Sequence, residues 1–191
     1  MKKIFYSLIM VIMCNMVFAQ NDHLEFKDIQ IDGNINSFVE KMKQNGFVLV
    51  TPMKDNLTAM SGNFVGKKCE IYILSTPKTK KACKVVVFLP ESENWSDIKS
   101  DYFSYKDLYT KKYGDPKDSF NFFTKPYYEG DGYEMQALRK KKCTYASYWI
   151  TDKGTIAVDI SSSQQISFGY EDKINMSIYS QEQEAESIND I

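Results

Sequence analysis

Along this chain the apolar and polar residues change rhythm several times, and each rhythm predicts an element. Ile35, Phe38, Val39 and Met42 recur at the spacing of one helical face. Asn34 stands before them as an N-cap. Asn45-Gly46 stands after them as a stop, because glycine takes the left-handed C′ conformation at little cost. Strand rhythm follows. Phe47-Val48-Leu49-Val50 opens one strand, residues 57–65 make another with Gly62 inside it, and Cys69, Ile71 and Ile73 alternate on one face of a third. Residues 83–89 are apolar on both faces, which predicts a central, covered strand.

A second helix is predicted from Asn94. Trp95, Ile98, Tyr102, Tyr105, Tyr109 and Tyr113 form one aromatic stripe at spacings of three and four, best read as a core-facing surface packed on a sheet. Phe103 lies off that stripe and is expected to be exposed. Gly114-Asp115-Pro116 ends the helix, since proline pushes the residue before it out of helical geometry. Residues 119–128 are aromatic and irregular. Glu129-Gly130-Asp131-Gly132 is a turn, and residues 133–138 and 143–150 read as strands. Asp152-Lys153-Gly154 is a hairpin turn leading to Ile156, Val158 and Ile160 on one face, then Ile166, Phe168 and Tyr170 on one face of the last strand. From residue 180 onward the chain is polar and acidic with almost no core residues, which predicts a mobile tail.

The order is helix, strands, helix, strands. It predicts an α+β fold of two tandem helix-plus-antiparallel-sheet units, residues 20–90 and 91–179, whose sheets can run on as one, followed by the tail at 180–191. A recurrent feature suggests duplication: Gly66-Lys67-Lys68-Cys69 and Lys140-Lys141-Lys142-Cys143 each precede a strand. Chance recurrence of basic turns before strands is the alternative. The pattern Phe26-x-x-Ile29-x-Ile31-Asp32-Gly33, the helix end Gly46-Phe47, the stretch Ser61-Gly62-x-Phe64-x-Gly66 and Lys112-Tyr113-Gly114 resemble a group of exported proteins of unknown function from Gram-negative bacteria. In architecture alone, the helix-then-sheet repeat also resembles beta-lactamase inhibitory protein and the small outer-membrane assembly lipoproteins. These motifs are structural punctuation, and likeness of fold does not transfer function.

The first twenty residues change the picture most. Lys2 and Lys3 precede an apolar run over residues 4–17, and Val17 and Ala19 put small residues at the −3 and −1 positions of a cleavage point before Gln20. That is the layout of a secretory signal peptide over residues 1–19. Its expectation is an exported protein, periplasmic or secreted, with no integral membrane segment after cleavage. A retained anchor is the alternative, but the run is short for spanning. Lipidation at Cys14 is another, but Met13 is not the small residue that such processing favours.

Cleavage removes two lysines, so the formal charge of −1 becomes about −3. That balance gives no case for nucleic acid as a partner. Cys69, Cys83 and Cys143 remain. One disulfide is open to them, but three buried thiols acting as small hydrophobes is the preferred reading. His23 is the sole histidine, expected to be exposed and idle, so neither a multi-histidine metal site nor a histidine-based triad is indicated. No phosphate loop or dinucleotide fingerprint occurs, and no cofactor is expected.

The best candidate for binding is the aromatic loop that holds Phe122, Phe123, Tyr127, Tyr128 and Tyr133 beside Pro126 and two glycines. Aromatic faces on a loop suit a protein or glycan partner. The competing reading places those rings in the core of the second unit. Asp131 and Glu134 are the best available pair for a carboxylate-dependent hydrolase, although acids in a Gly-rich turn usually form the turn itself. The basic run Arg139-Lys140-Lys141-Lys142 reads as a solvated turn. The expectation is therefore a non-enzymatic exported binding protein, an inhibitor of a protein partner or an envelope accessory, with the hydrolase as alternative.

Overall fold

The computed structural model describes residues 22–189. The export segment, with Ala19 and Gln20, lies outside them. The lead-in folds as a small hairpin of β1 (Glu25–Phe26) and β2 (Ile29–Gln30), and it buries Leu24, Phe26, Ile29 and Ile31. Helix α1 (Ile35–Gln44) follows, capped where the sequence predicts. The Asn34 side chain accepts from the Asn36 N–H, and Gly46 has φ +86°. Its four predicted face residues are all buried.

Four strands come next: β3 (Val48–Lys54), β4 (Leu57–Phe64), β5 (Lys67–Ser75) and β6 (Ala82–Phe88). Helix α2 (Trp95–Tyr113) begins at the Asn94 cap, which accepts from Asp97 N–H, and stops at Gly114. The second strand series is β7 (Asp118–Phe123), β8 (Cys143–Ile150), β9 (Gly154–Ile160) and β10 (Ile166–Asp172), with the short helix α3 (Glu134–Arg139) between β7 and β8. Helix α4 (Lys173–Asn189) ends the described chain.

The two series form one continuous antiparallel sheet in the order β3-β4-β5-β6-β10-β9-β8-β7. Each series is a meander, and the two meet last strand to last strand: β6 pairs with β10 through Val87↔Phe168 and Val85↔Tyr170. The α+β fold and the merged sheet match the sequence reading. The Lys-rich turns do not mark equivalent places, however. One precedes the third strand of its meander, the other the second.

One face of the sheet carries the core. Met60, Ile71, Val87, Phe168 and Val158 lie side by side across five strands and are buried. Helix α2 presses its aromatic stripe on them, with Tyr105 edge-on to Phe168 at 5.2 Å and Tyr109 stacked on it at 5.6 Å. Buried phenols need partners. Tyr102 shares a 2.7 Å hydrogen bond with Ser147, and Tyr109 bonds Tyr170. Trp149 Nε1 donates to the Gly114 carbonyl at 2.8 Å, tying the end of α2 to β8. Gly62 is required by packing, because a Cβ there would lie 2.3 Å from the Phe47 ring.

Several expectations are corrected. Residues 134–139 are helix, not strand: Glu-Met-Gln-Ala-Leu-Arg are all good helix formers, and Ala137 and Leu138 reach the core from one side. The expected mobile tail at 180–191 is helical through Asn189, with the last two residues outside the described part. Glu182 fixes it by accepting from the N–H groups of Lys78 and Thr79 and the Thr79 hydroxyl in the β5–β6 loop. Phe103 is half-buried against Tyr102 and Tyr145 rather than exposed. Strand β6 is central, but Lys84, Val86 and Phe88 on its second face are only half-buried.

Candidate functional site

Strand alternation sends every second residue to the other face of the sheet. The helices pack on the first face. Among the described residues, only the start of α4 flanks the second, where Met176 stands beside Ile150, Thr155 and Glu171. Three central rows of side chains cross this uncovered face, and a further row beside them begins with Asn63 and Lys68 and ends with Thr144 and Phe122. The middle row runs Ala59, Tyr72, Val86, Gly169, Ala157, Tyr148, Asp118. One neighbouring row runs Ser61, Glu70, Phe88, Ser167, Asp159, Ala146, Phe120. The other runs Leu57, Leu74, Lys84, Glu171, Thr155, Ile150.

The rows give the face a relief. On β5 and β6, Tyr72 and Phe88 meet edge-on at 5.9 Å. On β7 and β8, Phe120 and Tyr148 meet at 6.3 Å, and Phe122 continues that ridge beside Phe120. Between the two ridges, β10 and β9 present Ser167, Gly169 and Ala157 with Asp159. The floor is deep for a surface: Ser167 and Ala146 are 4% and 5% exposed. Phe120 and Phe122, in contrast, are 42% and 49% exposed, and Ile150 is 62% exposed. Exposed aromatic ridges set among polar side chains are a usual mark of an interaction site.

The electrostatics single out one residue. Burial, the dominant effect, raises the Asp159 carboxyl above its ordinary range, against the opposing pull of the Ser167 hydrogen bond and the Lys84 charge. Lys84 itself is ion-paired to Glu171 at 2.5 Å. Among the described residues Asp159 has no ion-pair partner of its own. Burial, then the negative charge of Asp159, also raises the Tyr148 phenol.

The residues expected to bind are split by the structure. Phe122 stands on the uncovered face. Phe123 is half-buried, edge-on to Trp95 at 5.6 Å, and Tyr127 is half-buried against the core, so these two serve packing. Tyr128 and Tyr133 are 65% and 61% exposed at the turn before α3, on neither ridge. The five do not form one surface. Asp131 accepts from the Tyr128 and Tyr133 N–H groups with its two oxygens, and Glu134 accepts from Gly130 N–H. Both acids hold the turn they belong to.

His23 is not idle. Its Nδ1 lies 3.1 Å from Asp172 and its Nε2 3.5 Å from Asp32. Asp172 is fully buried. It also accepts from Leu24 N–H and, as the N-cap of α4, from Asn175 N–H. This cluster pins the chain entry to the last helix. The three cysteines are free and buried. Burial and then the Asp172 charge push the Cys83 thiol up to about 12, and burial and then Glu129 do the same for Cys143. Neither has the lowered pKa of a nucleophile.

A second concavity of about 560 Å³ lies between the β1–β2 turn, α2 and the β8–β9 turn, over Phe64, Tyr109 and Tyr170. Its rim mixes Lys27, Lys112 and Lys153 with Glu25, Asp28 and Asp152, so it presents no single charge. Among the described residues no three His, Cys, Asp or Glu converge to hold a metal ion, and no helix is long and apolar enough to cross a membrane.

Compared with family models, curated proteins and solved structures, the chain finds no match. The sequence did carry a signal for the face that was missed. Once Ile156, Val158 and Ile160 are assigned to the core, Ala157 and Asp159 must point the other way.

Proposed function

We propose that this chain is an exported, non-enzymatic binding protein that docks a partner protein on the uncovered sheet face. The observation that supports this reading is the pair of aromatic ridges, Tyr72–Phe88 and Phe120–Tyr148, held apart by a floor of small residues on a rigid sheet. Tyrosine and phenylalanine give large contact area with few torsions to immobilise. A sheet whose other face is fully packed holds them in place before binding. A protein fits this surface better than a glycan, because the ridges span several strands. The hydrolase alternative finds less support. Asp131 and Glu134 are committed to their turn, and Asp159 and Glu171 lie about 13 Å apart at the backbone, four residues along paired strands.

The test is capture from an envelope extract by immobilised wild type and by a Phe120→Ser/Tyr148→Ser variant. The same species should be retained by the wild type and lost by the variant, while the circular dichroism of the two proteins stays the same. Equal retention by both would sink the assignment of the face.

A further inference from the structure

The uncovered face is not uniformly apolar, and Asp159, which has no ion-pair partner among the described residues, lies on its floor. Asp159 sits on β9 between Ser167 of β10 and Ala146 of β8, both buried although no helix of the described residues covers them. The residues beside Ser167 and Asp159 on the next row are Gly169 and Ala157, both small. The walls are Phe88 and Tyr72 on one side and Tyr148 and Phe120 on the other. Strands β6 and β8 are three strand spacings apart in the sheet, about 14 Å between backbones. The result is a trough with an anionic floor and aromatic walls.

This arrangement is costly for the free protein. A carboxylate held among apolar groups without a cation is less stable than one in water. The nearest cation, Lys84, is occupied by Glu171. On the two rows that line the trough the other charges are Glu70, beside Phe88, and Asp118, beside Tyr148, and both are acids; the cations Lys54 and Lys68 lie on rows outside it. The charges on the two rows that line the trough, Asp159, Glu70 and Asp118, are therefore all negative. Glu70 also accepts from the Tyr72 hydroxyl at 3.1 Å, which turns that ring's polar edge toward the acid.

We infer that the Asp159 trough receives a cationic side chain, arginine above all, presented by the docked protein. This inference rests on the reading of the uncovered face as the docking surface. Charge complementarity selects the occupant. A guanidinium offers planar donors to the Asp159 carboxylate and its faces to Tyr148 and Phe88, and it is the cation most readily desolvated. An acidic or neutral side chain would leave Asp159 buried and unpaired on docking. The trough thus gives the apolar ridges a means of rejecting wrong partners.

The test needs no knowledge of the partner. Isotope-labelled protein is titrated with N-acetyl-arginine-methylamide and, in parallel, with the isosteric citrulline compound, and amide shifts are followed by NMR. The arginine probe should give saturable shifts at residues of β6, β8, β9 and β10 around Asp159, with affinity in the millimolar range. The citrulline compound and the acetyl-glutamate analogue should give none. Asp159→Asn should weaken arginine binding at least about tenfold, with its spectrum otherwise native. Equal shifts from citrulline, unchanged binding to Asp159→Asn, or no saturable shift from arginine would each overturn the inference. Failure here alongside loss of capture in the Phe120→Ser/Tyr148→Ser variant would leave the docking face standing and remove only its cation specificity. Arginine binding alongside unchanged capture by that variant would do the reverse.

Discussion

The two faces of the same sheet carry the same kinds of residue and use them differently. On the covered face, Tyr102, Tyr109, Tyr170 and Trp149 are buried and each polar atom has a partner inside the protein. On the uncovered face, Tyr72, Phe88, Phe120 and Tyr148 pair with one another at the surface, and Asp159 is left without a cation among the described residues. Aromatic content alone therefore does not separate core from site. Satisfaction of charge does: the buried phenols and indole of the first face are paired, with only the neutral Thr58 hydroxyl on β4 buried and unpartnered among the described residues of that face, whereas the second face leaves a carboxylate without a cation.

Five substitutions sharpen that contrast. Phe168→Ala empties the centre of the covered face, where Phe64, Tyr105 and Tyr109 converge, and should destabilise by about 3–5 kcal/mol in urea unfolding. Asp172→Ala removes the cap of α4 and orphans the Leu24 N–H, for a loss of about 2 kcal/mol by the same assay. It should also free the β1–β2 hairpin to exchange its amides faster.

Asp159→Asn should instead stabilise, by about 1 kcal/mol at neutral pH, as relief of an unpaired charge at a functional position commonly does. The sign follows from the raised carboxyl. A folded pKa above the unfolded one means that ionised Asp159 opposes folding. The advantage of the variant should be absent below about pH 3.9, where the acid is protonated in both states, and should grow as pH rises through the folded value. Asp32 gives the opposite curve. Burial would raise its carboxyl, but the Gly33 N–H and Asn175 outweigh that and hold it below the usual range. Asp32→Asn should therefore lose stability at neutral pH, with the difference closing as pH falls through the folded pKa. The smallest effect is expected from Phe122→Ser, within about 0.5 kcal/mol of wild type, because the ring is half exposed and meets Phe120 of its own strand.

The covered face was largely legible in the sequence. The stripe from Trp95 to Tyr113 and the set Ile35, Phe38, Val39 and Met42 follow helical spacing, and Asn34, Asn94, Gly46 and Gly114 end the helices as their chemistry requires. Helix α4 was not legible, because from Ser180 onward it is almost entirely polar. It is held by Asp172 at its start and by Glu182 on a loop about a hundred residues away in sequence. The role of His23 was hidden for the same reason, since its carboxylates are brought to it by the fold. The relief of the uncovered face depends on β6 pairing with β10, which no local pattern announces. The aromatic loop was legible as aromatic but not as divided. Phe122 and Phe123 are neighbours in sequence, and strand alternation sends them to opposite faces.

The most direct test of the docking face is hydroxyl-radical labelling of the protein, alone and with the envelope fraction it captures. Tyr72, Phe120 and Tyr148 should become protected, while Tyr128 and Tyr133, equally aromatic and more exposed, keep their reactivity. Protection of Tyr128 and Tyr133 with Tyr72, Phe120 and Tyr148 unchanged would contradict the account and return the binding site to the loop.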